Sequence, residues 1–158
     1  SAFLNNGAHG LQLAEMTGLP IAKDLGNIVQ GVRNYISLIE NPPEFNLKST
    51  GDMRDHAMII HRRLERDSTS ISSELLDLIG AITSAEPRPD LTDDEYDAFY
   101  DAHSDRHSWQ AEFEEILLEA GDYVWWHGKY DNMSPNYNIA SEERSAMMLS
   151  ELKEWAGA

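Results

Sequence analysis

Two groups of acidic residues recur at helical spacing, and they are the residues of this sequence best suited to chemistry. Glu74 and Asp77 are three residues apart, and Glu115, Glu119 and Asp122 follow one another at intervals of four and three. At about 100° per residue, each group shares one side of a helix. Like charges at this spacing repel each other, whereas Mg2+ binds carboxylate oxygens and reverses the sign of the interaction. The spacing favours a divalent-metal site between two helices; the alternative is that these are ordinary solvent-facing acids of an acidic protein.

Three arginines, Arg62, Arg63 and Arg66, form the only dense basic cluster of the sequence, just before the first acidic pair. Because guanidinium groups bind phosphate oxygens with paired hydrogen bonds, Arg62 and Arg63 are candidates to bind a phosphate group. Pairing with the neighbouring acids Glu65 and Asp67 is the alternative interpretation.

Two histidines, His103 and His107, are further candidates for a metal site, because residues four apart share one face of a helix. No H-E-x-x-H pattern accompanies them, and Ser104 or Ser108 is expected to interrupt the helix there. The sequence has no cysteine, which excludes disulfide bonds, thiolate zinc sites and a cysteine nucleophile. It also has no glycine-rich phosphate loop.

The balance of charge is strongly acidic. Asp and Glu number 28 against 12 Lys and Arg, which gives a formal net charge of −16. Nucleic-acid phosphates repel such a chain, so direct nucleic-acid binding is not expected. Three uses of the acids remain open: they bind divalent metal, they imitate DNA in another protein's DNA-binding site, or they keep the surface solvated.

Apolar residues recur every three or four positions through most of the sequence, and the alternating pattern of a strand is nearly absent. This periodicity predicts one all-α domain over residues 1–158, a bundle of about six helices. Thr92 to Glu95 has the form of a capping box, and Ser68-Thr69-Ser70 predicts a break between two helices. The predicted helices are 21–39, 52–66, 71–83, 92–102, 109–127 and 141–155, with a short additional helix at 8–16.

The residues around the second acidic group resemble a known family. Residues 119–126, EAGDYVWW, are similar to the E-L-G-D-V-L-W-Y stretch of the MazG-like, all-α nucleotide pyrophosphohydrolases. Residues 73–82, SELLDLIGAI, resemble the other metal-binding helix of that family, which carries E-x-x-E within an apolar stripe. The resemblance extends over residues 70–127. It departs from the family at Asp77, which stands in place of the usual glutamate, and in segment 78–118, which is longer than expected.

The resemblance implies a MazG-like core, built on helices 71–83 and 109–127, and a hydrolase that depends on Mg2+, with Mn2+ as a substitute. Such an enzyme cleaves a ribo- or deoxyribonucleoside triphosphate to the monophosphate and pyrophosphate. The site that follows has Glu74, Asp77, Glu119 and Asp122 as metal ligands, with Glu115 either as a further ligand or to hold and deprotonate the attacking water.

The residues themselves supply candidates for contact with the nucleotide. Arg62, Arg63 and Lys129 could contact its phosphates, and Trp126 could stack on the base. The alternatives are that Lys129 only favours the C-terminal dipole of its helix and that Trp126 packs against another helix or subunit.

Two function classes follow. The first is the MazG-like pyrophosphohydrolase, expected to be cytoplasmic and homo-oligomeric, because a base pocket in such a bundle is easily completed by a second chain. No apolar run of the sequence approaches the roughly 18 residues of a membrane helix, so no membrane partner is expected.

The second function class is an acidic helical interaction protein, such as a DNA mimic that inhibits a nucleic-acid-binding partner. An enzyme needs its carboxylates in one pocket, whereas a mimic needs them spread along an outer surface.

Overall fold

The structure, a computed structural model, describes residues 14–42, 50–126 and 139–157. Over these ranges all regular secondary structure is helical, which confirms the predicted all-α class. The predicted helix 8–16 falls largely outside the described residues, which include only a helical turn at 14–17. The helices are α1 (Ala22–Glu40), α2 (Thr50–Ser84), α3 (Asp93–Gly121), α4 (Tyr123–Trp126) and α5 (Ile139–Ala156).

The predicted break at Ser68-Thr69-Ser70 is wrong, because α2 runs through it without interruption. The hydroxyl of Ser68 donates a hydrogen bond to the Glu65 carbonyl at 2.7 Å, and Thr69 donates to the same carbonyl at 3.1 Å. Ser68 is fully buried in the bundle. Hydroxyl groups that could compete with the helical backbone are therefore satisfied within the helix. The predicted helices 52–66 and 71–83 are one element.

The predicted interruption at Ser104 or Ser108 is also wrong, and the predicted helices 92–102 and 109–127 are joined in α3. The capping box at its start is confirmed: the Glu95 amide donates to the Thr92 hydroxyl, and the Thr92 amide donates to the Glu95 carboxylate, both at 3.2 Å. At the other end α3 stops at Gly121, earlier than predicted. A turn at Asp122 then leads into the short helix α4.

Helices α2 and α3 run antiparallel along most of their length. His61 near the beginning of α2 contacts Asp122 after the end of α3, while Ser72 lies 3.4 Å from both Gln110 and Glu114 earlier in α3. The four long helices share one buried apolar core. Its most deeply buried side chains include Val32 from α1, Ile79 and Ile82 from α2, Leu117 from α3 and Leu152 from α5. None of the described helices combines the length and apolar character that crossing a bilayer requires.

Tyr35 links α1 to the last turns of α3. Its buried hydroxyl donates a hydrogen bond to the Leu117 carbonyl. Burial raises the pKa of Tyr35 above its ordinary value, and the negative charges of Asp122 and Asp67 act in the same direction. Gly121 makes this approach possible, since a Cβ there would lie 2.5 Å from the tyrosine oxygen. The pair thus joins the middle of α1 closely to the last turns of α3.

Candidate functional site

Asp122, one of the predicted metal ligands, is held by a histidine of α2. Its Oδ1 lies 2.7 Å from His61 Nε2, and the other ring nitrogen of His61 lies 3.3 Å from a carboxylate oxygen of Glu65. The imidazole therefore lies between two carboxylates. This arrangement connects the turn after α3 to α2 by a polar contact.

Glu119, the second predicted ligand of this group, contacts a cation of α5. Its Oε1 lies 2.8 Å from a terminal nitrogen of Arg144. The hydrogen bond and the charge of Glu119 raise the pKa of the Arg144 guanidinium, and the charge of Glu115 adds to the effect. Glu115 itself is exposed one turn earlier in α3. Two predicted site residues, Glu115 and Glu119, thus raise the pKa of Arg144, a residue that the sequence did not indicate as part of a site.

Glu74 and Asp77, the other predicted pair, line a cavity of about 740 Å³ between α1 and α2. Arg63 lies in the same wall, 3.9 Å from Asp67 through its Nε. The cavity combines charged and amide side chains with an apolar floor. Its polar lining consists of Asp24, Asn27, Gln30, Asn34, Arg63, Asp67, Ser70, Glu74 and Asp77, and its apolar lining includes Ile28, Tyr35, Leu38, Ile71 and Leu78.

The structure does not bring the two acidic pairs together. Asp122 is level with His61, which precedes Glu74 by 13 residues in the same helix. At 1.5 Å per residue this places Asp122 about 20 Å from Glu74 along the axis of α2. In the part of the chain that the structure describes, no three or more His, Asp or Glu side chains are grouped to hold a metal ion. The four carboxylates therefore do not fit a single Mg2+ centre in this arrangement.

The remaining predicted residues are dispersed. Arg62 is exposed on α2 and does not line the cavity beside Arg63. Lys129 lies outside the described residues, as does the side chain of Trp126. His103 and His107 are exposed on the continuous helix α3.

The unbroken course of α3 creates a feature that the sequence analysis missed, which we call the acidic stripe. Eight carboxylates fall within an arc of about 120° on the helix, and Arg106, the only Arg or Lys of α3, lies on another side. From the first to the last, the stripe rises about 39 Å along the axis. The predicted interruption at Ser104 or Ser108 placed these acids on two separate helices, so the sequence did not indicate that they form one continuous surface. The acidic stripe consists of Asp93, Asp94, Asp97, Asp101, Asp105, Glu112, Glu115 and Glu119.

The stripe points away from the core. Its members are exposed, except for Glu119, which is half-buried beside Arg144. The opposite side of α3 is buried through Phe99, Phe113 and Leu117.

Comparison of the chain with protein-family models, with curated proteins and with solved structures gave no match. The likeness to the MazG-like family therefore rests on the quoted residues alone.

Proposed function

We propose that the protein is an acidic helical interaction protein that presents the acidic stripe of α3 to the DNA-binding surface of another protein. The observation that carries this proposal is the continuity of the stripe along the outer face of one long helix. Its carboxylates are spread along a surface and do not converge in one pocket, as a mimic of DNA requires.

The dimensions of the acidic stripe support this proposal. Successive carboxylates are separated by one to seven residues and most often by three or four, which corresponds to about 4.5–6 Å of helix rise. The stripe as a whole, about 39 Å long, compares with about 34–36 Å for one turn of duplex DNA. A basic groove that neutralises the phosphates of one turn is therefore long enough to meet most of these carboxylates.

The way α3 is held also favours binding. Because its opposite face packs in the core, the helix presents the carboxylates on a preformed support, which lowers the entropy cost of association. Tyr100 lies at the edge of the stripe, between Asp97 and Asp101 in sequence, and is 60% exposed. Tyrosine is enriched among the residues that dominate binding energy at protein interfaces. It supplies an apolar anchor among charges that alone would give mainly fast, salt-dependent association.

The test uses proteins that bind DNA as a class. Proteins eluted from a DNA-cellulose column are passed over the immobilised full chain, and bound material is challenged with duplex DNA. We expect the wild type to retain proteins that the duplex releases, because both ligands compete for one basic surface. Replacing three stripe acids, Asp97→Asn, Asp101→Asn and Asp105→Asn, should abolish that retention.

A matched variant separates the stripe from net charge. Asp24→Asn, Asp77→Asn and Asp90→Asn remove the same charge from exposed positions outside α3. We expect this variant to retain the same proteins as the wild type. Equal losses in both variants, or retention that duplex DNA does not reverse, would contradict the proposal.

A second candidate function, the Mg2+-dependent pyrophosphohydrolase, is favoured by the cavity between α1 and α2. Its volume of about 740 Å³ is within the range of small-molecule sites, and three predicted site residues, Arg63, Glu74 and Asp77, line it. In this proposal Arg63 contacts the triphosphate and the two carboxylates face the same ligand. When bound, a divalent metal would neutralise charge on the phosphates and lower the pKa of an attacking water.

The two acidic pairs make this candidate testable. Pyrophosphate release is measured with Mg2+ or Mn2+ across ribo- and deoxyribonucleoside triphosphates, for Glu74→Gln and Glu119→Gln in parallel. If the cavity is the site, Glu74→Gln lowers the rate by orders of magnitude while Glu119→Gln, whose carboxylate is beside Arg144, changes it little. If the MazG-like ligand set is used, both variants lose activity. If the wild type releases no pyrophosphate from any nucleotide, the proposed pyrophosphohydrolase function is wrong.

A further inference from the structure

One exposed face of α2 carries two arginines and apolar side chains in an otherwise acidic protein, with the exposed Asp55 one turn before Ile59. Ile59, Arg62 and Arg66 follow one another at intervals of three and four, so they share one side of the helix. Ile59 is 61% exposed, and the side chain of Arg66 is 74% exposed. Met58 is an exposed neighbour. We call these four residues the α2 patch.

The α2 patch matches the acidic stripe in spacing and in chemistry. Arg62 and Arg66 are four residues apart, as are Asp97 and Asp101, so each pair rises about 6 Å along its helix. Guanidinium and carboxylate groups at the same repeat can pair two by two. The exposed Ile59 lies one turn from Arg62, and the exposed Tyr100 directly precedes Asp101 and follows Asp97 by three residues.

A single chain cannot make this contact. Asp122 is level with His61, next to Arg62, whereas Asp105 precedes Asp122 by 17 residues. In the antiparallel pair, Asp105 is therefore about 24 Å from Arg62 and about 18 Å from Arg66 along the helix axis, and the earlier members of the stripe are farther away. The complementary surfaces lie toward opposite ends of the bundle, and only a second molecule can join them.

We propose that the α2 patch binds the first half of the acidic stripe, Asp93 to Asp105, of a second copy of this chain. The net charge of −16 opposes association at long range, but at physiological ionic strength charges are screened beyond about 8 Å. Close arginine–aspartate pairs around an Ile59–Tyr100 contact outweigh the remaining repulsion. This association needs the charges of the stripe and does not depend on the proposed DNA-binding partner.

Self-association is measured by sedimentation velocity of the full chain over a concentration series. At about 0.15 M salt we expect the weight-average mass to rise above the 17.8 kDa of one chain as concentration increases. At about 1 M salt, where screening extends to about 3 Å, it should return to the monomer value. A wild type that stays monomeric at every concentration in low salt would overturn the proposal.

Charge reversal identifies the surfaces. Arg62→Glu with Arg66→Glu should abolish association, whereas Lys23→Glu with Arg88→Glu, which changes net charge equally at other exposed positions, should leave it measurable. Asp97→Lys with Asp101→Lys should also give a monomer. Mixing this variant with the Arg62→Glu, Arg66→Glu protein should restore the complex. Failure of the mixture to associate, with both variants folded by circular dichroism, would contradict the assigned pairing.

Discussion

Gly121 is the residue whose missing side chain matters most to the packing of α3. A Cβ at this position would lie 2.5 Å from the Tyr35 hydroxyl oxygen and 3.6 Å from Leu64 Cβ. Gly80, by contrast, has open space around it in the interior of α2. Two helical glycines of one protein thus differ in what an added methyl group would meet, and they form a natural comparison.

We predict that Gly121→Ala lowers the free energy of unfolding by about 1–3 kcal/mol, because the methyl group overpacks the contact between α1 and α3. Gly80→Ala should instead raise it by about 0.5–1 kcal/mol, since alanine is the better helix former. Urea denaturation measures both. In a Tyr35→Phe background the cost of Gly121→Ala should shrink, because the ring carbon that remains is 3.5 Å away. An undiminished cost would show that another contact is responsible.

At the scale of secondary structure, apolar periodicity predicted the buried faces well. In the predicted helix 21–39, apolar residues at spacings of three and four are Ile21, Leu25, Ile28, Val32, Tyr35, Ile36 and Ile39. All of them are buried except Leu25, which is half-buried. The capping box at Thr92 was also predictable, because its signal is local and lies within four residues. Structural features that depend only on neighbouring residues can be predicted from the sequence.

The serine-rich interruptions were not predictable in the same way. Ser68 is helical because its hydroxyl bonds to the Glu65 carbonyl and its side chain is enclosed by other helices. That enclosure is a tertiary effect, which outweighs the weak helix propensity of serine. At this segment, tertiary burial determines that the chain is helical, and local composition therefore predicted the wrong helix boundary.

The candidate site could be predicted only in part for a related reason. Spacing placed Glu74 with Asp77 and Glu119 with Asp122, and within each pair the residues do lie one turn apart. Whether the pairs meet depends on the register between α2 and α3. That register is associated with contacts such as His61 with Asp122 and Ser72 with Glu114, which are remote in sequence and carry no local pattern.

The cap of α3 yields a prediction for the element that bears the acidic stripe. Thr92→Ala removes the hydroxyl that accepts from the Glu95 amide, while the bond from the backbone amide of residue 92 to the Glu95 carboxylate can remain. The variant should lower the free energy of unfolding by about 1 kcal/mol. Thr69→Ala is the matched control, because Thr69 is exposed within α2 and alanine has the higher helix propensity. It should be neutral or slightly stabilising in thermal or urea denaturation. Equal destabilisation by both variants would argue against a specific role for the cap.

At the scale of the whole molecule, the excess of acids makes stability depend on salt. The net charge is −16, and the stripe concentrates eight acids on one helix face. Screening weakens the mutual repulsion of these charges more than it weakens the few close ion pairs. The folded chain is therefore expected to resemble other highly charged proteins, which are stabilised by moderate ionic strength.

We predict that the melting temperature rises as NaCl is increased from about 10 mM to about 200 mM, over which the Debye length falls from about 30 Å to below 8 Å. Differential scanning calorimetry at low protein concentration measures the effect. The Asp97→Asn, Asp101→Asn and Asp105→Asn variant should show a smaller rise, because it begins with less repulsion. A melting temperature that falls with salt would mean that ion pairs dominate.

The last turns of α3 carry one more consequence. Helix ends normally fray, yet polar contacts reach this one from each of the other long helices: Tyr35 at the Leu117 carbonyl, His61 at Asp122 and Arg144 at Glu119. Local opening there would break contacts to three elements at once. Amide hydrogens near residues 117–121 should therefore exchange with deuterium only when the bundle opens as a unit, which makes this terminus a reporter of cooperative unfolding.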